Sequence, residues 1–210
     1  MVHLRLADRL LDHLPDIDEA AFVMGNIAPD SGVPNADWTQ FDPPKSVSHF
    51  KAYPDPVAAF RAEYFNDEIK KRCTRREYAF FLGYDAHLLT DAAWSRDILA
   101  PFLRAHPDEA AADRHRLVLV AKEDWYDLDF LYLEQHPDFR AFSVYENTVG
   151  FDNTFMDIFP RDAFEDRRRY ICGFYRGDEH GDLHRKYVHL TPEQVETFVE
   201  NTAEAIRKVI

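Results

Sequence analysis

Residues 80–94 read FFLGYDAHLLTDAAW, and the chain is best understood outward from this stretch. On a helical wheel it is apolar almost all round, through Phe80, Phe81, Leu82, Leu88, Leu89, Ala92 and Ala93. That pattern predicts a central helix buried by its neighbours rather than a surface helix. His87 and Asp91 interrupt the run four residues apart, so both leave one face of the helix, with Trp94 a turn further on. A carboxylate taken into a core is costly unless it is paired or holds a cation. A buried His–Asp hydrogen bond orienting two helices would satisfy this pair by itself, so its meaning depends on what other segments bring to it.

The bulk composition narrows the classes. With 210 residues, 46% of them hydrophobic and 30% charged, the chain is long enough for one sizeable core, and a single domain over 1–210 is expected. A formal charge of −13 opposes binding to duplex nucleic acid or anionic membranes, since both lean on clustered Lys and Arg. The short basic runs Lys70 to Arg76 and Arg167 to Arg169 read as solvated helix faces. Cys73 and Cys172 lie far apart without Cys-x-x-Cys spacing, which suits a reducing compartment. No signal-peptide core or membrane-spanning run is present, so a cytoplasmic location is expected.

The remaining segments read as helices joined by loops. Leu4 to Leu14 has helical apolar spacing and stops before Pro15, with His3 just ahead of it; alone, such a histidine is a solvated helix end. Asp18 caps a helix over Glu19 to Asn26, which breaks at Ile27-Ala28-Pro29-Asp30 because Pro29 disfavours helix before it. Ser31 to Ser48 is a loop long enough to be functional, and it delivers His49. A helix is predicted over Pro56 to Lys71. The central helix should run from near Arg75 toward Arg104, bent or ended by Pro101, and a long helix capped at Asp108 or nearby should reach Gln135. Asp138 to Phe159 gives no clear pattern, a helix follows from Arg161 to Phe174, and Gly177 to His189 is polar loop. Thr191 and Gln194 make a capping box for the last helix. No strand signal competes, so the fold class is all-α.

Asp30 behind Met24-Gly-Asn-Ile-Ala-Pro, His49 in Ser48-His-Phe50, and His87 with Asp91 form an Asp/His/His/Asp set over three segments with apolar flanks. Imidazole and carboxylate are the donors of hydrolytic zinc sites. In these three motifs and their order the sequence resembles the zinc-dependent phospholipase C family, whose multi-helix fold is shared with P1-type nucleases. The resemblance implies that Asp30, His49, His87 and Asp91 bind zinc, with Asp91 bridging toward a second ion. It further implies that His3 helps hold that ion and that Asp30 acts as a general base. One or two Zn2+ ions follow. Three-zinc members carry another histidine ten residues after the first helical one; here that position is Asp97, and Asp124 or Asp127 on the next helix would have to substitute.

Other patterns carry less. His180 and His184 have four-residue spacing, but Gly181 and polar flanks make this a loop. Glu77, Asp85 and Glu123 read as helix-surface charges, while Trp38, Phe41 and Trp94 are candidates to line the mouth of a site. There is no His-Asp dipeptide, His-Glu-x-x-His, Gly-rich phosphate loop or Gly-x-Ser-x-Gly. The expected function is metal-dependent hydrolysis of a phosphoester, either a phospholipid or a soluble compound. The rival is a helical protein that keeps a metal for structure or ligand binding, and a nuclease ranks third because of the charge.

Overall fold

The computed structural model describes residues 1–37 and 39–210. Helix α1 (Val2–Leu11) is followed by α2 (Glu19–Ile27), whose N-terminus Asp18 caps by accepting the Ala21 N–H at 3.0 Å. A 3-10 turn over Ala28–Asp30 then carries the chain into the 31–48 segment. That segment holds two elements absent from the sequence pattern. One is an antiparallel ribbon of β1 (Val33–Pro34) and β2 (Phe41–Asp42), and the other is the short helix α3 (Lys45–Ser48).

The helix expected over Pro56 to Lys71 is two helices, α4 (Pro56–Tyr64) and α5 (Asp67–Lys70). Asn66 causes the break, because its side chain accepts the Glu68 and Ile69 N–H groups and starts a new helix. The central helix α6 (Arg75–Trp94) opens on a full capping box between Thr74 and Glu77. It widens into a π turn over Ser95–Leu99 and resumes as α7 (Ala100–Ala105). Pro101 has no N–H for an i−4 bond, and just before it the Ala100 N–H reaches back to Ser95. The long helix α8 (Pro107–Gln135) kinks at Asp113, whose carboxylate accepts the Arg116 N–H at 3.0 Å. At the start of α8 the N-cap is the neighbouring His106 with no side-chain cap bond, and Asp108 lies within the first turn. Helices α9 (Arg140–Asn147), α10 (Ala163–Arg176) and α11 (Pro192–Arg207) complete the all-α fold, the last with its capping box in place.

Close approach of α2 to α6 positions everything that follows. A Cβ on Gly25 would lie 2.1 Å from the Phe80 carbonyl oxygen, and one on Gly83 would lie 2.1 Å from that of Phe22. Only glycine permits backbones this close. Around the pair, Phe22, Phe60, Phe80 and Tyr84 are fully buried, and the same core continues from Leu4 of α1 to Ile206 of α11. Each such aromatic or aliphatic side chain contributes about 1.5–3 kcal/mol on leaving water.

Two charged residues depart from the surface placement expected of them, and a third, Asp129, is buried as well. Asp85 is 1% exposed, because α4 covers that side of α6 and Arg61 forks onto its carboxylate at 2.8 and 2.7 Å. Arg168 is buried rather than part of a solvated basic face; it holds Glu165 through two bonds and the Glu146 carbonyl through a third. Asp129 points inward, where it takes the Met1 amino group at 3.1 Å and the Tyr175 hydroxyl at 2.7 Å.

Candidate metal centre

His87 stands in the middle of α6, fully buried. Its Nδ1 lies 2.8 Å from the Asn26 carbonyl of α2. A carbonyl only accepts, so Nδ1 carries the proton and Nε2 offers a lone pair. The tight α2–α6 packing therefore fixes the tautomer and the direction of this ring.

His49 comes from the turn after α3. Its Nδ1 is 3.0 Å from the Ser48 hydroxyl, and the Tyr84 hydroxyl donates to the Ser48 carbonyl, tying α3 to α6. The next residue, Phe50, has φ +53°, a left-handed conformation that costs a phenylalanine about 1–2 kcal/mol. Its ring is held edge-on to Phe60 at 5.6 Å and to Tyr84 at 6.5 Å between centroids, so aromatic packing imposes the turn that aims His49 inward.

The two Nε2 atoms of His49 and His87 face each other at 3.3 Å. From His49 Nε2, Asp30 Oδ1 is 3.3 Å away and Asp91 Oδ2 is 3.7 Å away. Asp30 enters at the end of the 3-10 turn that Pro29 sets up. His3, in the first turn of α1, is no frayed end. Its ring stacks on that of His87 with 3.8 Å between centroids and 5° between planes, and its Nε2 is 3.6 Å from Asp91 Oδ1. Ligand atoms of Asp30, His49 and His87 all lie within 4.8 Å of one another, and so do those of His3, His87 and Asp91. His87 belongs to both groups.

The charge states suit ligation. Burial lowers the pKa of His3 well below the ordinary imidazole value, with His87 adding to the effect, and burial likewise lowers that of His87. Burial opposes ionisation of Asp30, but the His49 hydrogen bond and the Lys45 ammonium outweigh it and hold the carboxyl well below its usual range. Burial also opposes ionisation of Asp91, and there His87, His3, His49 and Lys51 prevail. Two ammonium groups reach in from the rim, Lys45 at 2.9 Å from Asp30 and Lys51 at 3.5 Å from Asp91.

A zinc ion fits these residues. Neutral imidazoles and ionised carboxylates are the donors zinc takes. In each group the donor atoms of two imidazoles and one carboxylate lie within 4.8 Å of one another, and among the described residues the buried Nδ1 of His3 has no hydrogen-bond partner.

The candidates for a further site are not gathered here. Asp97 is exposed and paired with Arg96. Asp124 accepts three N–H groups from residues 188–190, and Arg185 binds it at 2.7 Å and Asp127 at 2.9 Å. Together these bonds strap the 177–190 loop onto α8. His180 and His184 lie in that loop, His184 beside Glu134 at 3.1 Å. His189 and Glu193, four residues apart, are a further His/Glu pair in the sequence, but the His189 ring packs against Phe102 and His106 instead of joining either metal group. Phe41 and Trp94 line the cavity that opens over the centre, and Trp94 also packs on Trp125 and Phe198. Trp38 lies outside the described residues.

No described helix is long and apolar enough to cross a membrane. Searches of curated proteins and of solved structures returned no match. The family model for zinc dependent phospholipase C matches residues 2–147, which takes in all three motifs and α1 to α9. Family and side-chain grouping together fit a metal-dependent phosphoester hydrolase. By that match and its all-α fold, the chain belongs to the zinc-dependent phospholipase C family.

Proposed function

We propose that this chain is a zinc-dependent phosphoester hydrolase acting as one domain over 1–210, with His3, Asp30, His49, His87 and Asp91 holding one or two zinc ions. The observation that carries the reading is the meeting of the His49 and His87 Nε2 atoms at 3.3 Å beside the Asp30 carboxylate. Bound zinc would supply a Lewis acid and bring the pKa of a water down toward neutrality. His87 is the ligand common to both groups, oriented by the Asn26 carbonyl. Asp91 sits between His3 and His49, a position from which one carboxylate can serve two ions. Asp30, half-buried at the cavity floor and ionised, is the residue placed to accept the proton of an attacking water.

The substrate is a soluble phosphoester rather than a membrane lipid, a choice supported by the formal charge of −13. Cytoplasmic action is part of the proposal and is supported by Cys73 and Cys172, both free thiols. A second reading, a metal held without catalysis, is favoured by the commitment of Asp97, Asp124 and Asp127 to arginine partners. Elemental analysis followed by assays on p-nitrophenyl phosphodiesters, phosphomonoesters and phospholipid micelles separates the readings. Turnover of the soluble esters that falls at least about 100-fold in Asp30→Asn and His87→Ala supports the enzyme. Bound zinc with no turnover supports the second reading, and preference for micelles contradicts the soluble substrate.

A further inference from the structure

Three cations from separate helices meet in the cavity at the candidate centre, in a chain whose formal charge is −13. Lys45 of α3, Lys122 of α8 and Arg167 of α10 come from three separate helices and line the same cavity of about 1630 Å³ as His3, Asp30 and Asp91. Arg167 donates through Nη2 to the Gly32 carbonyl at 2.9 Å, which anchors one edge of the guanidinium. Lys45 holds Asp30 at 2.9 Å. Lys122 is half-buried, and among the described residues it makes no ion pair or hydrogen bond.

The buried carboxylates of α8 along this cavity have other partners, while Glu123, Asp178, Glu179 and Asp182 at its edge are exposed to solvent. Asp124 and Asp127 are held by Arg185, and Asp129 by the Met1 amino group and Tyr175. Burial lowers the pKa of Lys122, with Lys45 adding to it and Asp30 opposing, so the ammonium sits where an incoming anion would relieve it. A half-buried lysine without a partner is expensive to keep unless something charged visits it.

We infer that Lys122, Arg167 and Lys45 form an anion subsite beside the metal centre, which receives a second oxyanion of the substrate, a phosphate or carboxylate beyond the ester being cleaved. The word substrate rests on the hydrolase reading; the subsite itself does not. Its consequence is selection by charge: phosphoesters with an anionic leaving group or tail bind, and zwitterionic or neutral ones bind less well. Arg167 offers a planar fork for an oxyanion and Lys122 a mobile point charge, a pairing suited to a tetrahedral phosphate or a carboxylate.

Inorganic phosphate titrated calorimetrically into the 210-residue chain as purified tests this. Lys122→Met and Arg167→Met are each expected to weaken phosphate binding about five-fold or more, with melting temperatures monitored to show that both remain folded. Lys208→Met, at an exposed lysine paired with Glu204 on α11, should bind as wild type does. Absence of phosphate binding, or binding indifferent to Lys122 and Arg167, overturns the subsite. Hydrolysis of bis(p-nitrophenyl) phosphate, which carries no second anion, is measured on the wild-type sample. Phosphate binding without that hydrolysis contradicts the hydrolase reading alone, and hydrolysis with phosphate binding blind to both cations contradicts the subsite alone.

Discussion

Glu165 shows how much a single buried charge depends on its surroundings. Arg168 forks onto its carboxylate at 3.0 and 2.7 Å, Arg169 adds a bond at 3.1 Å, and the Gly150 N–H donates at 2.9 Å. The Arg168 hydrogen bonds, against the opposing effect of burial, bring the carboxyl down from its ordinary 4.5 to about 2. The folded state therefore binds this proton more weakly than the unfolded chain does. Its stabilisation is complete above about pH 4.5 and is lost as pH falls toward about 2. Glu165→Gln should cost on the order of 2 kcal/mol at pH 7 and flatten the acid limb of stability between those values, as read by urea unfolding across pH. An unchanged acid limb would contradict this assignment. At this scale the sequence was most legible where residue type and spacing together restrict the chemistry, as with His87 and Asp91 on one helical face. It was least legible where a partner arrives from elsewhere in the chain. Arg61 of α4 covers Asp85, and Lys45 of α3 and Lys51 of the turn after it reach the centre, and none of these pairings leaves a periodic mark.

Helix pairing sets the geometry of the centre, and the α2–α6 contact is its most exacting part. Gly83→Ala would put a Cβ 2.1 Å from the Phe22 carbonyl, a clash with backbone that no side-chain rotation relieves. The expected outcome is destabilisation by about 3 kcal/mol or more in denaturant unfolding, accompanied by weaker zinc retention because His87 and Asn26 move apart. A loss under about 1 kcal/mol would show that the helices can separate cheaply and that His87 is aimed by something else. Elements announced by strong end signals are readable in advance: the Asp18 cap and the Thr191 capping box stand in the structure, whereas Glu77, expected as a plain surface charge, closes a capping box with Thr74. Misreadings fell where a polar side chain diverts the backbone inside a continuous apolar pattern. Asn66 starts α5 and Asp113 kinks α8, while the β1–β2 ribbon pairs only two residues on each side, too few to leave an alternation.

Across the whole molecule, an acidic chain brings Lys45, Lys122 and Arg167 to one cavity, beside five side chains drawn from α1, the 3-10 turn, the α3 turn and α6. In the proposed hydrolase, these cations together with bound zinc would supply the local positive charge that an anionic ester meets once it is within about 8–10 Å, against a formal charge of −13 for the chain. Zinc-edge anomalous diffraction from zinc-loaded crystals tests the central claim most directly. The account predicts a peak about 2.0–2.2 Å from the Nε2 atoms of His49 and His87 and from a carboxylate oxygen of Asp30. A second ion, if loaded, should give its peak between His3 and Asp91. Fully loaded crystals with no peak at His49 and His87, or with zinc only at another place such as the loop around His180 and His184, would contradict it.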